Sequence, residues 1–529
     1  MSSYSIQQQL IATLGDAHRY PHEVDTVRMI ETHISWVLLA GPYAYKIKKA
    51  LALGFLDYSA LATRRFCCEE EIRLNRRTAP DLYLDVVAIG GTPARPEFGA
   101  QHAFEYAVRM RRFAIADQMD RMLQRGALLP QHIDSLAGVV YRFHAGLPRV
   151  DAASRFGTIS SIHAAARQNF EQLDELLTDV ADLEDVAALG RVAEAEFATC
   201  RDIFAARREQ GFVRECHGDL HLGNIVLING EPVAFDCVEF NPALRWIDTM
   251  DEIAFTTMDL LRRGRHDLAW RFLNAMLEAS GDYGGVAVLR FYLAYRAAVR
   301  AKVCAIRATQ DDIPQLIRAR ELDICRCYLE LARECLARRR PALIITCGLP
   351  GSGKTTFAQF ALERLGAIRI RSDVERKRLH GLGTLESSRE YGDIYAPEAT
   401  ARTYARLREL AQGLLKAGHT VIVDAAFLRL DEREQFRALA QSMSLPFAIA
   451  ALHADEPVLH ERLLQRSSDA SEADTAVLKK LQKVQQPLSS QESAWSTEFT
   501  TEEASDSESN AHNWSKLETL LATRKTRRA

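Results

Sequence analysis

Paired cysteine motifs, long apolar runs and net charge are all scarce in this sequence, and each shortage removes a class of protein. Ten cysteines occur in 529 residues, yet none stands in a Cys-x-x-Cys pair; Cys67 and Cys68 are adjacent, and Cys325 and Cys327 are two apart. That spacing argues against a zinc ribbon or a disulfide framework and fits reduced thiols in a cytoplasmic protein. No apolar run approaches the roughly 20 residues of a membrane span. The opening MSSYSIQQQLIATLG has no signal-peptide core. A formal net charge of −3 leaves no global field to draw in nucleic acid or an anionic membrane. No internal repeat is visible. What remains, at 47% hydrophobic and 26% charged residues, is the composition of a globular intracellular chain long enough for two or three domains.

The first stretch that carries chemistry runs from Cys216 to Asp236. It reads His217-Gly218-Asp219, then Asn224, then an apolar run and Asp236. This is the spacing of a kinase catalytic loop. Phosphoryl transfer needs a carboxylate beside the acceptor hydroxyl, and oxygen ligands that hold magnesium on the ATP phosphates. Asp219 is read as the base, and Asn224 and Asp236 as the metal ligands. His217 and His221 are too few for a zinc site, and the Gly and Asp between them suit a loop rather than a helix face.

Upstream, residues 1 to about 30 have a helical rhythm (Ile6, Leu10, Leu14) and read as a helical lead-in. Trp36–Ala40, Gly41-Pro42 and Tyr43–Lys48 read as two strands joined by a tight turn. A kinase needs a strand lysine for the phosphates and a helical Glu to hold it. Lys46 and Lys48 share one strand face; Lys46 is preferred and Lys48 is the second choice, with Glu71 as partner. A Gly-rich phosphate flap is absent. Further strands are expected at Leu82–Ile89 and Glu105–Met110, and helices beyond Ala114. His144 is read as a structural helix residue. Asp248 and Asp251 either buttress the loop or begin a helix favourably.

The set His217-Gly218-Asp219, Asn224 and Asp236 resembles the aminoglycoside phosphotransferase and choline-kinase branch of the kinase-like fold. The resemblance implies a small lobe of antiparallel strands with one helix, a hinge and a helical lobe, over residues 31–337. It leaves the acceptor open. Residues 115 to 215 show no aminoglycoside pocket, so antibiotic resistance does not follow.

After Arg338-Arg-Arg340-Pro341 the texture changes to a short buried strand, Ala342–Cys347, and then Gly348-Leu-Pro-Gly351-Ser352-Gly353-Lys354-Thr355-Thr356. This is a complete Walker A sequence, with a helix expected from Phe357 to Leu365. Its backbone N–H groups cradle phosphates at a helix N-terminus, Lys354 reaches the β/γ-phosphates and Thr355 binds Mg²⁺. Two later strands end in Ser372-Asp373 and in Asp424, at the carboxyl edge of a parallel sheet where ligands bind. Asp424 is read as the residue ordering magnesium. Arg462 and Arg466, four apart, suit a lid over the transferring phosphate, or else a solvated basic face.

Ser372-Asp373-x-x-Arg376 resembles the P-loop kinases of small hydroxyl acceptors, a group that includes polynucleotide 5′-kinases. The resemblance implies Asp373 as base and Arg376 as acceptor ligand. The whole arrangement resembles bacterial fusions of an aminoglycoside-phosphotransferase-like domain to a P-loop ATPase domain over 341–486. Residues 487–529, Ser/Glu-rich with Trp514, Leu517 and Leu521 at helical spacing and a basic end, read as a disordered tail with a short helix.

The expected fold is therefore mixed α+β and α/β: a bilobal kinase-like domain followed by a P-loop parallel-sheet domain. The expected activity is transfer of the ATP γ-phosphate to a small-molecule hydroxyl, with ATP and Mg²⁺ required. A nucleic-acid partner is not expected, although a 5′-hydroxyl end stays open. The alternatives are a nucleotide-sensing regulator with one degenerate site, and a P-loop ATPase with a non-catalytic kinase-like half.

Overall fold

The computed structural model describes residues 3–53, 56–310, 313–384, 386–388, 394–465, 471, 475–501 and 508–522. It divides into two compact units: Met1–Arg262 with Val288–Leu336, and Arg263–Ala287 with Ala337–Ala529. Among the described residues no helix is long and apolar enough to cross a membrane.

In the first unit a helix, Ser3–Leu14, precedes six strands: β1 (Val27–Glu31), β2 (Ser35–Ala40), β3 (Tyr43–Lys48), β4 (Tyr83–Thr92), β5 (Arg95–Phe98) and β6 (Ala103–Arg111). They form one antiparallel sheet in the order β1-β2-β3-β6-β4-β5. The lead-in is therefore helical only to Leu14, because Val27, Met29 and Ile30 favour extended backbone and pair with β2. Gly41 makes the β2–β3 turn possible: its φ is +57°, and a Cβ there would lie 2.6 Å from the Glu23 carbonyl oxygen. Between β3 and β4 runs the helix Leu61–Asn75, whose buried face carries Arg64, Cys68, Glu71 and Asn75 at helical spacing. Two further strands, β7 (Ile225–Ile228) and β8 (Glu231–Ala234), form a hairpin that delivers Asp236; two short antiparallel pairs, Ala52–Leu53 with Leu56–Asp57 and Val213–Glu215 with Trp246–Asp248, and helices of varied length complete the described part of the unit.

The second unit is built on five strands: β9 (Leu343–Cys347), β10 (Ile368–Arg371), β11 (Val421–Asp424), β12 (Phe447–His453) and β13 (Ser496–Thr500). Every pairing is parallel, in the order β10-β11-β9-β12-β13. β9 is central and buried throughout, and apolar but for Thr346, whose hydroxyl donates to the Ala425 carbonyl at 2.8 Å, as suits a strand covered on both faces. The helix Lys354–Leu365 leaves its carboxyl end and stops at Gly366 in left-handed conformation.

Two parts of this unit depart from the sequence reading. The helix His266–Ser280, which that reading placed within the kinase-like stretch 31–337, belongs to the second unit. Its Asn274 amide donates to the Ala367 carbonyl at 3.0 Å and accepts from the Arg369 N–H at 2.7 Å, satisfying the open edge of β10 as a neighbouring strand would. An amphipathic helix does not announce which core it will join. The second departure is the expected disordered tail. β13 extends the sheet, and the helix Glu508–Leu521 buries Trp514 and Leu517 against Phe357 and Phe499. Ser/Glu-rich composition favours disorder, but one large aromatic with a properly spaced Leu supplies enough apolar area to dock. Residues 502–507 of the Ser/Glu-rich stretch and the basic end, residues 523–529, lie outside the described residues, so the departure concerns 487–501 and 508–522.

Trp514 is 2% exposed and stacks on Phe357 at 5.2 Å between ring centroids. Trp514→Ala is expected to cost about 3–5 kcal/mol, the range for deleting a buried aromatic. Thermal denaturation of the second unit measures this; a solvated tail would leave the transition where it is.

Candidate functional sites

In the first unit the two strand lysines converge on one carboxylate. Lys46 Nζ donates to Glu71 Oε1 at 2.9 Å, and Lys48 Nζ to Glu71 Oε2 at 2.6 Å. Each has a second acid, and these separate their roles. Lys46 also donates to Asp236, whereas Lys48 donates to Glu239, which accepts from Tyr58 as well. Lys46 therefore faces the proposed metal ligand, and Lys48 is 1% exposed and spent on bracing. Burial alone would push the Glu71 carboxyl up, but the two ammonium groups outweigh it and lower its pKa to about 2.

The loop His217–Asn224 is held mainly by the helix Thr249–Arg262, with Arg296 of the helix Val286–Ala308. Gly218, at φ +87°, donates its N–H to Glu252 Oε1 at 2.7 Å, and its carbonyl accepts from Arg296 at 3.1 Å. Arg296 is in turn fixed bidentately by Asp251 at 2.6 and 2.8 Å. The Leu220 carbonyl accepts from Thr256 and the Leu222 N–H donates to Asp259, at 2.7 and 3.0 Å. Asp251 thus buttresses the loop, while Asp248 takes Arg207 bidentately and caps Met250. His144 shares Glu252 at 2.7 Å, the structural role expected of it. His144, Cys216 and Glu252 come near enough to hold a metal, but Glu252 is already committed to His144 and Gly218.

Asn224 Nδ2 donates to the Asp219 carbonyl at 3.0 Å and to its carboxylate at 2.9 Å, which turns the amide oxygen outward for another ligand. Burial pushes Asp219 up, but His221, 3.5 Å away, and Arg300 outweigh it and hold the carboxyl well below the usual range. Asp219 is therefore anionic at neutral pH and can receive a proton late in a transfer. Asp236 adopts φ +64°, donates its N–H to the Tyr83 hydroxyl at 3.0 Å, and leaves its side chain 42% exposed. The free Asn224 oxygen and the exposed Asp236 carboxylate are the hard-oxygen donors that magnesium requires. The turn between β1 and β2, at Thr32–Ile34, precedes this site without any glycine.

In the second unit Gly351 and Gly353 both adopt φ +84°. A cavity of about 1120 Å³ opens at the carboxyl edge of the sheet, lined by Gly351, residues 353–356, and from other elements Asp373, Arg376, Asp424 and Arg462. Gly348 lies at the base of the loop, its N–H donating to the Ala426 carbonyl at 3.0 Å, and Ser352 is buried. Lys354 reaches back to the Leu349 carbonyl at 2.8 Å. Asp424 is 5% exposed, and its Oδ2 has no hydrogen-bond partner. Burial raises the Asp424 carboxyl above its ordinary value, Arg371 and Arg369 offsetting part of this. An orphaned buried carboxylate oxygen next to Thr355 fits a divalent cation.

Asp373 is the second residue of the helix Ser372–Leu379, and no side-chain capping bond begins that helix. Arg376 is buried; it donates to the Ile394 carbonyl and Thr400 Oγ1 at 3.0 and 3.2 Å and lies over Tyr395, with its Nε left unpartnered. Arg462 lies against the loop, donating to the Gly351 carbonyl at 3.2 Å. Arg466, its expected companion, lies outside the described residues.

Arg300, Arg371 and Glu278 are among the residues at these sites that the sequence does not single out. Arg300 follows Arg296 by one helical turn, a spacing that could have flagged it. Arg371 lines the cavity 3.8 Å from Asp424 and is held at 2.9 Å by Glu278 of the inserted helix. No local pattern links that pair.

A family model described as an AAA domain matches residues 343–488. Uncharacterized proteins of Mycobacterium tuberculosis and Mycobacterium bovis are each 30% identical over 465 residues, covering 87% of this chain and 90% of theirs. Among solved structures, a choline/ethanolamine kinase family protein from Mesorhizobium loti matches 63% of this chain and 98% of its own at 12% identity, with a TM-score of 0.38. A putative kinase from Chloroflexus aurantiacus matches 34% of this chain and 98% of its own at 25% identity, with a TM-score of 0.27. The chain belongs to the family of those mycobacterial proteins, and within it residues 343–488 carry the match to the AAA domain.

Proposed function

We propose that the chain is an ATP-dependent phosphotransferase with two nucleotide sites, each passing the γ-phosphate of ATP to a hydroxyl of a small molecule. The observation that carries this is the intact constellation in the first unit. The Lys46–Glu71 pair at 2.9 Å presents an ammonium beside Asp236, while Asn224 holds Asp219 at 2.9 Å, so phosphate ligand, metal ligands and base are all present together. In the second unit Lys354, Thr355 and Asp424 would hold the nucleotide and its metal, Arg462 would lie over the phosphates, and Asp373 with Arg376 would face the acceptor. Magnesium, when bound, offsets charge on the phosphate oxygens and orients them.

Titration calorimetry with magnesium and a non-hydrolysable ATP analogue is expected to show two binding events. Lys354→Ala removes one, and Lys46→Ala weakens the other at least tenfold, the usual order for a charged phosphate contact. A single event, lost in Lys354→Ala, would favour the nucleotide-sensing regulator instead, a reading to which the glycine-free β1–β2 turn lends support. Labelled ATP with a metabolite extract then identifies the acceptors.

A further inference from the structure

The family match ends at residue 488, before β13, yet the residue that follows β13 reaches the phosphate-binding loop. The Thr501 hydroxyl donates to the Ser352 carbonyl at 2.9 Å and accepts from Arg462 Nη1 at 2.8 Å. The other guanidinium nitrogen of Arg462 donates to the Thr501 carbonyl, and Nη1 also reaches the Gly351 carbonyl at 3.2 Å. Packing is equally close: a Cβ built on Gly353 would lie 2.9 Å from Thr501. Both Thr501 and Arg462 line the cavity that holds Lys354 and Asp424.

We propose that Thr501 is a positioning residue. Its hydroxyl and carbonyl fix the Arg462 guanidinium beside the phosphate-binding loop, which makes the C-terminal segment a working part of the nucleotide site. The inference rests on the reading of that loop as a Mg-ATP site. A hydroxyl is suited to the task because it donates and accepts at once, closing the chain from Arg462 to the Ser352 carbonyl. An unrestrained arginine samples many rotamers, and fixing one before the nucleotide arrives removes that ordering cost from binding. The blander reading is that Arg462 merely ties β13 to the loop, which would give Thr501 a role in stability and none in affinity.

The test uses the full chain and the non-hydrolysable analogue AMP-PNP with magnesium, following the calorimetric event that Lys354→Ala removes. Thr501→Val keeps the side-chain shape and deletes the hydroxyl. It is expected to weaken that event about tenfold, as befits loss of a hydrogen bond to a charged group. Thr501→Ser restores the hydroxyl and should recover affinity to within about twofold. In an Arg462→Ala background, Thr501→Val should add nothing further, because there is no guanidinium left to position. Unchanged affinity in Thr501→Val, with or without a lower melting temperature, would overturn the proposal, as would an equal loss in both backgrounds. Absence of any Lys354-dependent event in the wild type would overturn the Mg-ATP reading together with this one, and so is distinguishable from failure of the Thr501 role alone.

Discussion

Asp219→Asn is expected to abolish phosphoryl transfer by the kinase-like half while leaving its nucleotide affinity largely intact. The substitution keeps the shape of the side chain and one acceptor oxygen, which can still take the Asn224 hydrogen bond, while removing the charge and the capacity to take a proton. The proposed metal donors are elsewhere: the outward amide oxygen of Asn224 and the exposed carboxylate of Asp236. Because His221 and Arg300 hold Asp219 well below the usual carboxylate range, it is a weak base in the resting state. In the proposed reaction it would orient the acceptor hydroxyl and accept the proton once the bond to phosphorus is forming. Losing it should lower turnover by roughly 10²–10⁴-fold. Asp236→Ala is the contrasting variant, in which binding of Mg-ATP itself weakens. Both are measured as ADP release in a Lys354→Ala background, which silences the other half. Transfer at the parent rate in Asp219→Asn would sink the assignment.

How much of this was legible in the sequence depends on how local each feature is. The loop from His217 to Asn224 was readable because its chemistry needs three polar groups within one short turn, and the structure keeps them there. The phosphate-binding loop was readable for the same reason, together with the apolar strand before it and the Gly-capped helix after it. The choice between Lys46 and Lys48 was not settled by the strand itself. Both lie on one face and both reach Glu71; only the distant acids Asp236 and Glu239 tell them apart. Nor could the sequence show that Glu252, Thr256 and Asp259, spaced along one helix, hold three successive parts of the loop. Their spacing is that of any helix, and the loop they serve is more than 30 residues away.

The larger misreadings concern the second unit. Composition suggested that the last 40 or so residues were solvated, because the Ser/Glu-rich stretch outweighs two or three apolar positions in any average. Burial is decided by individual side chains, and Phe499, Trp514 and Leu517 meet one another and Phe357 on the sheet. The inserted helix was misplaced for a related reason. Its alternation of apolar and polar residues specifies a buried face but no partner, and Asn274 looks like any helical Asn until it is seen pairing with an open strand edge. The cost of both misreadings falls on the site, since the inserted helix supplies Glu278 and the C-terminal segment supplies Thr501.

The P-loop half yields the prediction that best separates chemistry from architecture. Asp373→Ala is expected to spare ATP affinity and to lower transfer to the acceptor about a hundredfold or more, the scale of a lost general base. Asp373 lines the same cavity as Lys354 and Asp424, and among the described residues its carboxylate has no hydrogen-bond or ion-pair partner. The two acids are thereby divided. Asp424 is buried at the end of β11, with an oxygen left for a metal, whereas Asp373 begins the helix after β10 and stands open to the cavity. Arg376, three residues on, is anchored to Thr400 and Tyr395 but keeps its Nε unpartnered, so Arg376→Ala should chiefly raise the acceptor KM. An acid near the start of a helix also interacts favourably with its dipole, by about 0.3–1 kcal/mol. If that were the whole of its role, Asp373→Ala would lower the melting temperature slightly and leave turnover unchanged. Melting temperature and transfer rate measured on one preparation decide between these outcomes, and unchanged turnover would remove Asp373 from the catalytic set.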